Sequence, residues 1–303
     1  MKNEMPIVSP SNLSIIVTKV EKQLKVVDKL LHQDSPLTLD WWNNLPEEWK
    51  AIFSFYIKFK SEYTDDFHSF DIIWAWYNED LTSLKRLEEN NHVITSDIPF
   101  GMPKIDKLFL EELYLIDNIS ISNSNIKDIS PLSNLINLAN LDLSLNYIDD
   151  IKPLKKLSNL KYLNLGYHNL TNLETLKYLS SLEELDLSCG VVNSLDCLSC
   201  LTKLSTLNLQ CSCIEILNIP TTLVNLYELN LDDNNISDLR GLVGLINLRT
   251  LILSHNKICD ISPLSELKSL QHIDLQENNI NYKAISKFKK MRPNVEIILE
   301  YGE

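Results

Sequence analysis

From residue 116 onward the chain repeats its apolar pattern every 22 residues without an insertion, and few folds accommodate so strict a period. An aliphatic residue opens each unit, at Ile116, Leu138, Leu160, Leu182, Leu204, Leu226, Leu248 and Leu270. Three and five residues later stand Ile119/Ile121, Leu141/Leu143, Leu163/Leu165, Leu185/Leu187, Leu207/Leu209, Leu229/Leu231, Leu251/Leu253 and Ile273/Leu275. A further aliphatic follows at Ile126, Ile148, Leu170, Val192, Ile214, Ile236, Ile258 and Ile280. Alternation at the paired positions reads as a short strand, leucines inward and the residue between them outward. One such unit cannot bury its own apolar face, so eight in register predict a stack of coils with their strands side by side. At about 4.8 Å per parallel strand the sheet would run roughly 35 Å.

The units carry the L-x-x-L-x-L-x-x-N-x-I pattern of leucine-rich repeats. Their length resembles that of bacterial internalins and of phosphatase-regulatory repeat proteins, and DISPLSNLINL (128–138) and DISPLSELKSL (260–270) are internalin-like in detail. The resemblance covers about residues 116–291. It implies an α/β fold, a right-handed leucine-rich-repeat solenoid with a curved parallel sheet, whose concave face holds a partner rather than performing chemistry. Internalins carry a secretion signal, whereas Met1–Ser11 (MKNEMPIVSPS) lacks the apolar core of one. The expectation is therefore a cytoplasmic protein with reduced cysteines, export by a signal-independent route staying open.

Ahead of the repeats the composition changes. All five tryptophans (41, 42, 49, 74, 76) lie in the first quarter, and all six cysteines lie beyond residue 188. Leu13, Val17, Val20, Leu24, Val27 and Leu31 recur at helical spacing after a candidate N-cap at Ser11. A second helix is expected from Asn44 with Pro46 in its first turn, a third over Phe67–Tyr77 and a fourth from about Glu79 to Glu89. The division expected is a helical N-terminal domain or cap at 1–92, a transition at 93–115, eight repeats at 116–291 and a C-terminal cap at 292–303. Tyr282, Ile285 and Phe288 suggest a short helix near that end, and NVEIILEY (294–301) a last strand.

The net charge of −13 argues against nucleic acid and against an anionic membrane, because both are bound by Lys and Arg. Three outward columns can be read from the repeats. The central one is Ser120, Asp142, Asn164, Asp186, Asn208, Asn230, Ile252, Asp274. Before it runs Asn118, Asn140, Tyr162, Glu184, Thr206, Glu228, Thr250, His272, and after it Ser122, Ser144, Gly166, Ser188, Gln210, Asp232, Ser254, Gln276. The face is polar, acidic and nearly free of Lys and Arg. Tyrosine buries much area with few rotatable bonds, so a Tyr/acidic patch over repeats three to seven is the expected contact region. Its members are Tyr162, Tyr167, Glu184, Asp186, Tyr227, Glu228, Asp232, His255 and His272.

Other motifs read as structure. The turn residues Asn146, Asn234, Asn256 and Asn278 can bond backbone groups between coils; His168, Gly190 and Ser212 replace them mid-array, which predicts the weakest interfaces between repeats three and five. Cys197-x-x-Cys200 with Cys211-x-Cys213 has the look of a zinc site. The register puts the two pairs on opposite sides of a coil, so no metal is expected; Cys189 and Cys211 stand in one column on adjacent strands, able to form a disulfide under oxidation and reading as small apolar fillers when reduced. Asp65, Asp66, His68 and Asp71 form a charged helix face beside Phe67, Phe70, Trp74 and Trp76. No phosphate-cradling glycine loop, G-x-S-x-G or H-E-x-x-H occurs, so no catalytic residue and no cofactor are expected. The leading function is a non-catalytic scaffold for another protein with a basic or mixed-charge surface. The alternatives are an effector or enzyme activity in residues 1–92 targeted by the repeats, and a phosphatase-regulator-like subunit.

Overall fold

The computed structural model describes residues 37–58, 105, 107–170 and 172–299. Nine three-residue strands form one open parallel sheet in chain order. They are β1 (Asn118–Ser120), β2 (Asn140–Asp142), β3 (Tyr162–Asn164), β4 (Glu184–Asp186), β5 (Thr206–Asn208), β6 (Glu228–Asn230), β7 (Thr250–Ile252), β8 (His272–Asp274) and β9 (Glu296–Ile298). Every pair from β1 to β8 is offset by 22 residues, Asn118 facing Asn140 and Thr250 facing His272. On the other side of each coil, short 3-10 turns such as Ser130–Asn134, Lys152–Lys156 and Ser262–Glu266 return the chain. The leucines of the pattern are fully buried from Ile119 to Leu275 and make one continuous core.

Two asparagine series stitch the coils. Oδ1 of Asn146 accepts from the amides of Ser124 (3.0 Å) and Ile126 (2.9 Å), and its Nδ2 donates to the carbonyls of Ile121, Leu143 and Ser144. Asn234 repeats this arrangement in full. The second series was not foreseen from sequence. Asn137, Asn159, Asn225 and Asn247, at the last position of their units, donate to the carbonyls of Tyr114, Ile136, Thr202 and Val224 in the coil before. Ser181 and Lys203 replace this asparagine in repeats three and four. Both series are thus interrupted over the same coils.

His168 is a partial substitute for the missing asparagine. Its Nδ1 meets the Leu165 carbonyl at 3.0 Å, while the buried Nε2 has no partner. Burial holds its pKa below the usual 6.5, against the opposing pull of the Leu165 and Gly166 backbone. A histidine kept neutral this way contributes stability above its unfolded pKa, and loses it as the pH falls from about 6.5 through the lower folded value. His168→Asn is therefore expected to raise stability by about 1 kcal/mol at pH 7, and to flatten the loss between pH 7 and pH 5. Paired urea titrations at the two pH values check this; equal slopes for the two proteins would overturn it.

Repeat five departs on its convex side. In repeats one to four, six and seven a polar side chain opens the 3-10 turn by accepting an amide two residues on: Asp128 from Ser130, Asp150 from Lys152, Asn172 from Glu174, Ser194 from Asp196, Asp238 from Arg240 and Asp260 from Ser262. Repeat five has Ile216 there, 75% exposed, and Pro220 follows. Among the described residues this coil has no 3-10 turn.

Helices cover both ends. α1 (Leu39–Asn43) is capped by Thr38, and α2 (Glu47–Lys58) starts after Pro46 rather than at Asn44. The residue before a proline is pushed out of the helical region, so Leu45 separates the two. α3 (Lys107–Tyr114) lies in the stretch read as a transition. Trp42 packs edge-on against Phe109 at 5.0 Å, and the buried Trp49 donates from Nε1 to the Asp128 carbonyl of the first coil at 2.9 Å. The helices expected over 13–31, 67–77 and 79–89, with the Asp65/Asp66/His68/Asp71 cluster, lie outside the described residues. At the other end α4 (Tyr282–Met291) buries Ile285 and Phe288, and β9 extends the sheet. Arg292 then donates to the carbonyls of Leu267 (2.8 Å) and Lys268 (2.9 Å), where another coil would have placed an asparagine.

Candidate functional site

A three-residue strand leaves room for two outward side chains before the chain turns, and this decides where the sequence-derived patch lies. The first column stands on the sheet as expected: Tyr162, Glu184, Thr206 and Glu228 are lateral neighbours on β3 to β6. Tyr162 is half-buried. Burial raises its hydroxyl pKa, and the negative Asp142, Asp186 and Glu184 around it push in the same direction. Its ring is thus set among three carboxylates.

The central column faces outward but is occupied by local bonds. Asp186 accepts the Ser188 amide and hydroxyl on Oδ1 (2.8 and 2.6 Å) and Asn208 Nδ2 on Oδ2 (2.7 Å). Asp142, Asn164, Asn208, Asn230 and Asp274 each accept the amide two residues on. This column holds the turn that ends each strand, which is why short polar side chains recur in it.

The third column corrects the sequence expectation. Ser144, Ser188, Ser254 and Gln276 are buried, because the strand has ended and the chain is already turning. Asp232 is half-buried and accepts from Gln210 Nε2 (2.8 Å), Ser254 Oγ (2.7 Å) and His255 Nδ1 (3.0 Å). That contact raises the His255 pKa.

The remaining members of the patch are dispersed. Tyr227 precedes β6 by one residue and carries the Arg249 guanidinium over its ring at 5.3 Å, so it belongs to the rim before the strands. Tyr167 and His255 lie on the opposite rim, just past the strands, where their φ angles are 65° and 51°. His272 sits at the C-terminal end, its Nδ1 2.7 Å from Glu296 of β9. The structure therefore gathers Tyr162, Glu184, Asp186 and Glu228 on the sheet surface, sets His272 in the same column two strands further on, and places the other four off that surface.

The cysteines correct another expectation. Cys197 is buried, with burial first among the causes that push its thiol up to about 11. Cys189 is half-buried and Cys200, Cys211, Cys213 and Cys259 are exposed, so most do not fill the core. Partial desolvation and the Asp233 carboxylate push the Cys211 thiol up to about 11 as well, which leaves it protonated near neutrality. Among the described residues no group of three or more His, Cys, Asp or Glu side chains is placed to hold a metal ion. No described helix is long and apolar enough to cross a membrane. A cleft of about 440 Å³ beside α4, lined by Arg249, Lys268 and Arg292 among others, is open and polar.

A model of the leucine-rich repeat matches residues 224–280. With its nine-stranded sheet and asparagine series, the chain is a leucine-rich-repeat protein. It is internalin-like in form. Internalin C2 of Listeria monocytogenes superposes with a TM-score of 0.57 at 29% identity, over 64% of this chain and 84% of that one. Another internalin of that organism (inlF) gives 0.55 at 21% identity over 65% of this chain, and the match spans 66% of its own length. A leucine-rich-repeat protein of Leptospira interrogans gives 0.52 at 24% identity, over 66% and 59% of the two chains. The last two likenesses concern the fold alone. No curated protein matches the chain.

Proposed function

We propose that the chain is a non-catalytic scaffold that holds another protein on the concave sheet. The observation carrying this reading is the surface around Tyr162, a half-buried aromatic ring framed by Asp142, Glu184 and Asp186. Across all three columns there is no Lys or Arg, so the face suits a partner with basic or mixed charge. Leucine-rich repeats and the internalin-like form favour interaction over chemistry, and the sequence has no nucleophile–base motif that would compete with it.

Combining Tyr162→Ala with Glu184→Lys and Glu228→Lys tests the assignment. The three side chains stand outside the leucine core, so the variant should keep its sheet signal and its melting midpoint within about 2 °C. Capture of interacting proteins from native lysate should fall at least tenfold, and most visibly at low salt. A convex control at Lys155, Lys177 and Glu266 should change little. Undiminished capture by the folded concave variant would remove this face from consideration.

A further inference from the structure

The rim just past the strands changes character between repeats two and five. Every unit turns there through positive φ, at Asn123, Leu145, Tyr167, Cys189, Cys211, Asp233, His255 and Glu277, with values from 50° to 65°. Asn, Asp and His enter this region readily, whereas leucine and tyrosine are disfavoured in it by clash between Cβ and the backbone. Leu145 and Tyr167 nevertheless occupy it, and neither gains burial in return: they are 47% and 57% exposed.

Two residues further along the same change recurs in three of these four coils. Tyr147 and Val191 are 69% and 45% exposed, Cys213 is exposed too, and repeat three has the exposed Asn169 there. The flanking units carry Asn125 on one side and Asn235 and Lys257 on the other. An apolar ridge of Leu145, Tyr147, Tyr167, Val191, Cys211 and Cys213, broken in its second row by Asn169, therefore crosses four coils and stops at polar residues on both sides. Monomeric proteins seldom leave such a strip uncovered.

Acidic groups border the ridge along its length. Asp142, Glu184 and Asp186 lie on its concave side, while Asp149, Asp150 and Glu215 are exposed on the other. The nearby cations Lys127 and Lys152 sit against Asp149 (3.3 Å) and Asp150 (3.4 Å). A second copy of this chain would bring two −13 molecules together at these carboxylates, and an anionic membrane would be repelled by them.

We propose that this ridge docks a protein partner through a basic amphipathic segment, its apolar side chains on the ridge and its Lys or Arg on the carboxylates either side. The idea rests on the scaffold reading for the existence of a protein partner, but the two can fail separately. The probe is a fluorescein-labelled amphipathic helix of leucine and lysine, with a leucine/glutamate helix as its counterpart, followed by anisotropy against the full chain. The decisive variant is Leu145→Asn with Tyr167→Asn and Val191→Ser. Asparagine suits the left-handed backbone better, so this variant should melt no lower than the parent, and loss of binding cannot be attributed to unfolding. It should bind the lysine helix at least tenfold more weakly, and the glutamate helix should not bind either protein.

Equal binding by parent and variant overturns the proposal, as does capture of the glutamate helix. So does sedimentation of the parent as a dimer that the variant abolishes, or flotation of the parent with phosphatidylserine vesicles. If the Tyr162/Glu184/Glu228 variant loses partner capture while the ridge variant retains it, the scaffold reading stands and the ridge assignment falls.

Discussion

Gly241→Ala is expected to destabilise the solenoid more than any other single-methyl change in it, by roughly 3–5 kcal/mol, or on the order of 10 °C in the melting midpoint. A Cβ built on Gly241 would lie 1.8 Å from the Leu217 carbonyl oxygen, 2.7 Å from its carbon and 2.8 Å from the Leu217 Cβ. The obstruction is mostly backbone, and Leu217 is itself buried, so the neighbouring coil must shift as a unit. The cause traces to repeat five. Ile216 cannot accept the amide that Asp and Asn accept elsewhere, Pro220 interrupts the turn, and the Leu217 carbonyl projects toward the next coil. Other units carry Pro131, Pro153, Thr175, Cys197 and Pro263 at the position of Gly241, so nothing in the repeat itself demands glycine there. Thermal melts by circular dichroism decide the matter, and a midpoint within about 1 °C of the parent would refute the argument.

Asn234→Ala should follow, at roughly 3 kcal/mol. Oδ1 of this buried residue takes the amides of Ser212 (3.1 Å) and Ile214 (2.9 Å), and Nδ2 serves the carbonyls of Leu209, Leu231 and Asp232. Truncation leaves two amide donors buried without an acceptor, and that desolvation penalty exceeds the net value of the bonds themselves. Hydrogen exchange gives a local readout: the Ser212 and Ile214 amides should exchange at least a hundredfold faster, while amides near Asn146 change far less. Unchanged protection at 212 and 214 would mean that water or relaxation satisfies them.

The apolar period made the register, the eight units and the inward leucines legible, because a 22-residue offset between strands leaves no other solution for the core. The helix around Ile285 and Phe288 was also readable from pattern. The second asparagine series was not: Asn137, Asn159, Asn225 and Asn247 occupy only some units and resemble loop residues until their neighbours in space are known. α3 was hidden by Gly101 and Pro103 just upstream, which mark a loop in any local reading. Of the site, Tyr162, Glu184, Asp186 and Glu228 share the sheet surface, with His272 further along the same column. The alternation that placed Asp232 outward holds for three residues and then ends with the strand. Tyr227 and Tyr167 lie one residue before and three residues after their strands, so each moved to a rim. The left-handed turn at Leu145 and Tyr167 was invisible because neither residue type advertises such a conformation.

Glycine at 190 and at 241 also bears on how such an array is inherited. A Cβ on Gly190 would meet the His168 carbonyl at 2.3 Å, as one on Gly241 would meet that of Leu217. In each case a coil that departs from the common pattern is followed by a coil that makes room for it. Repeats three and four are therefore matched, and so are five and six. A duplication or deletion of one 22-residue unit at either junction would leave an odd coil facing an unprepared neighbour, whereas an event spanning 44 residues would carry both halves together. In the middle of this molecule the heritable module is two coils long.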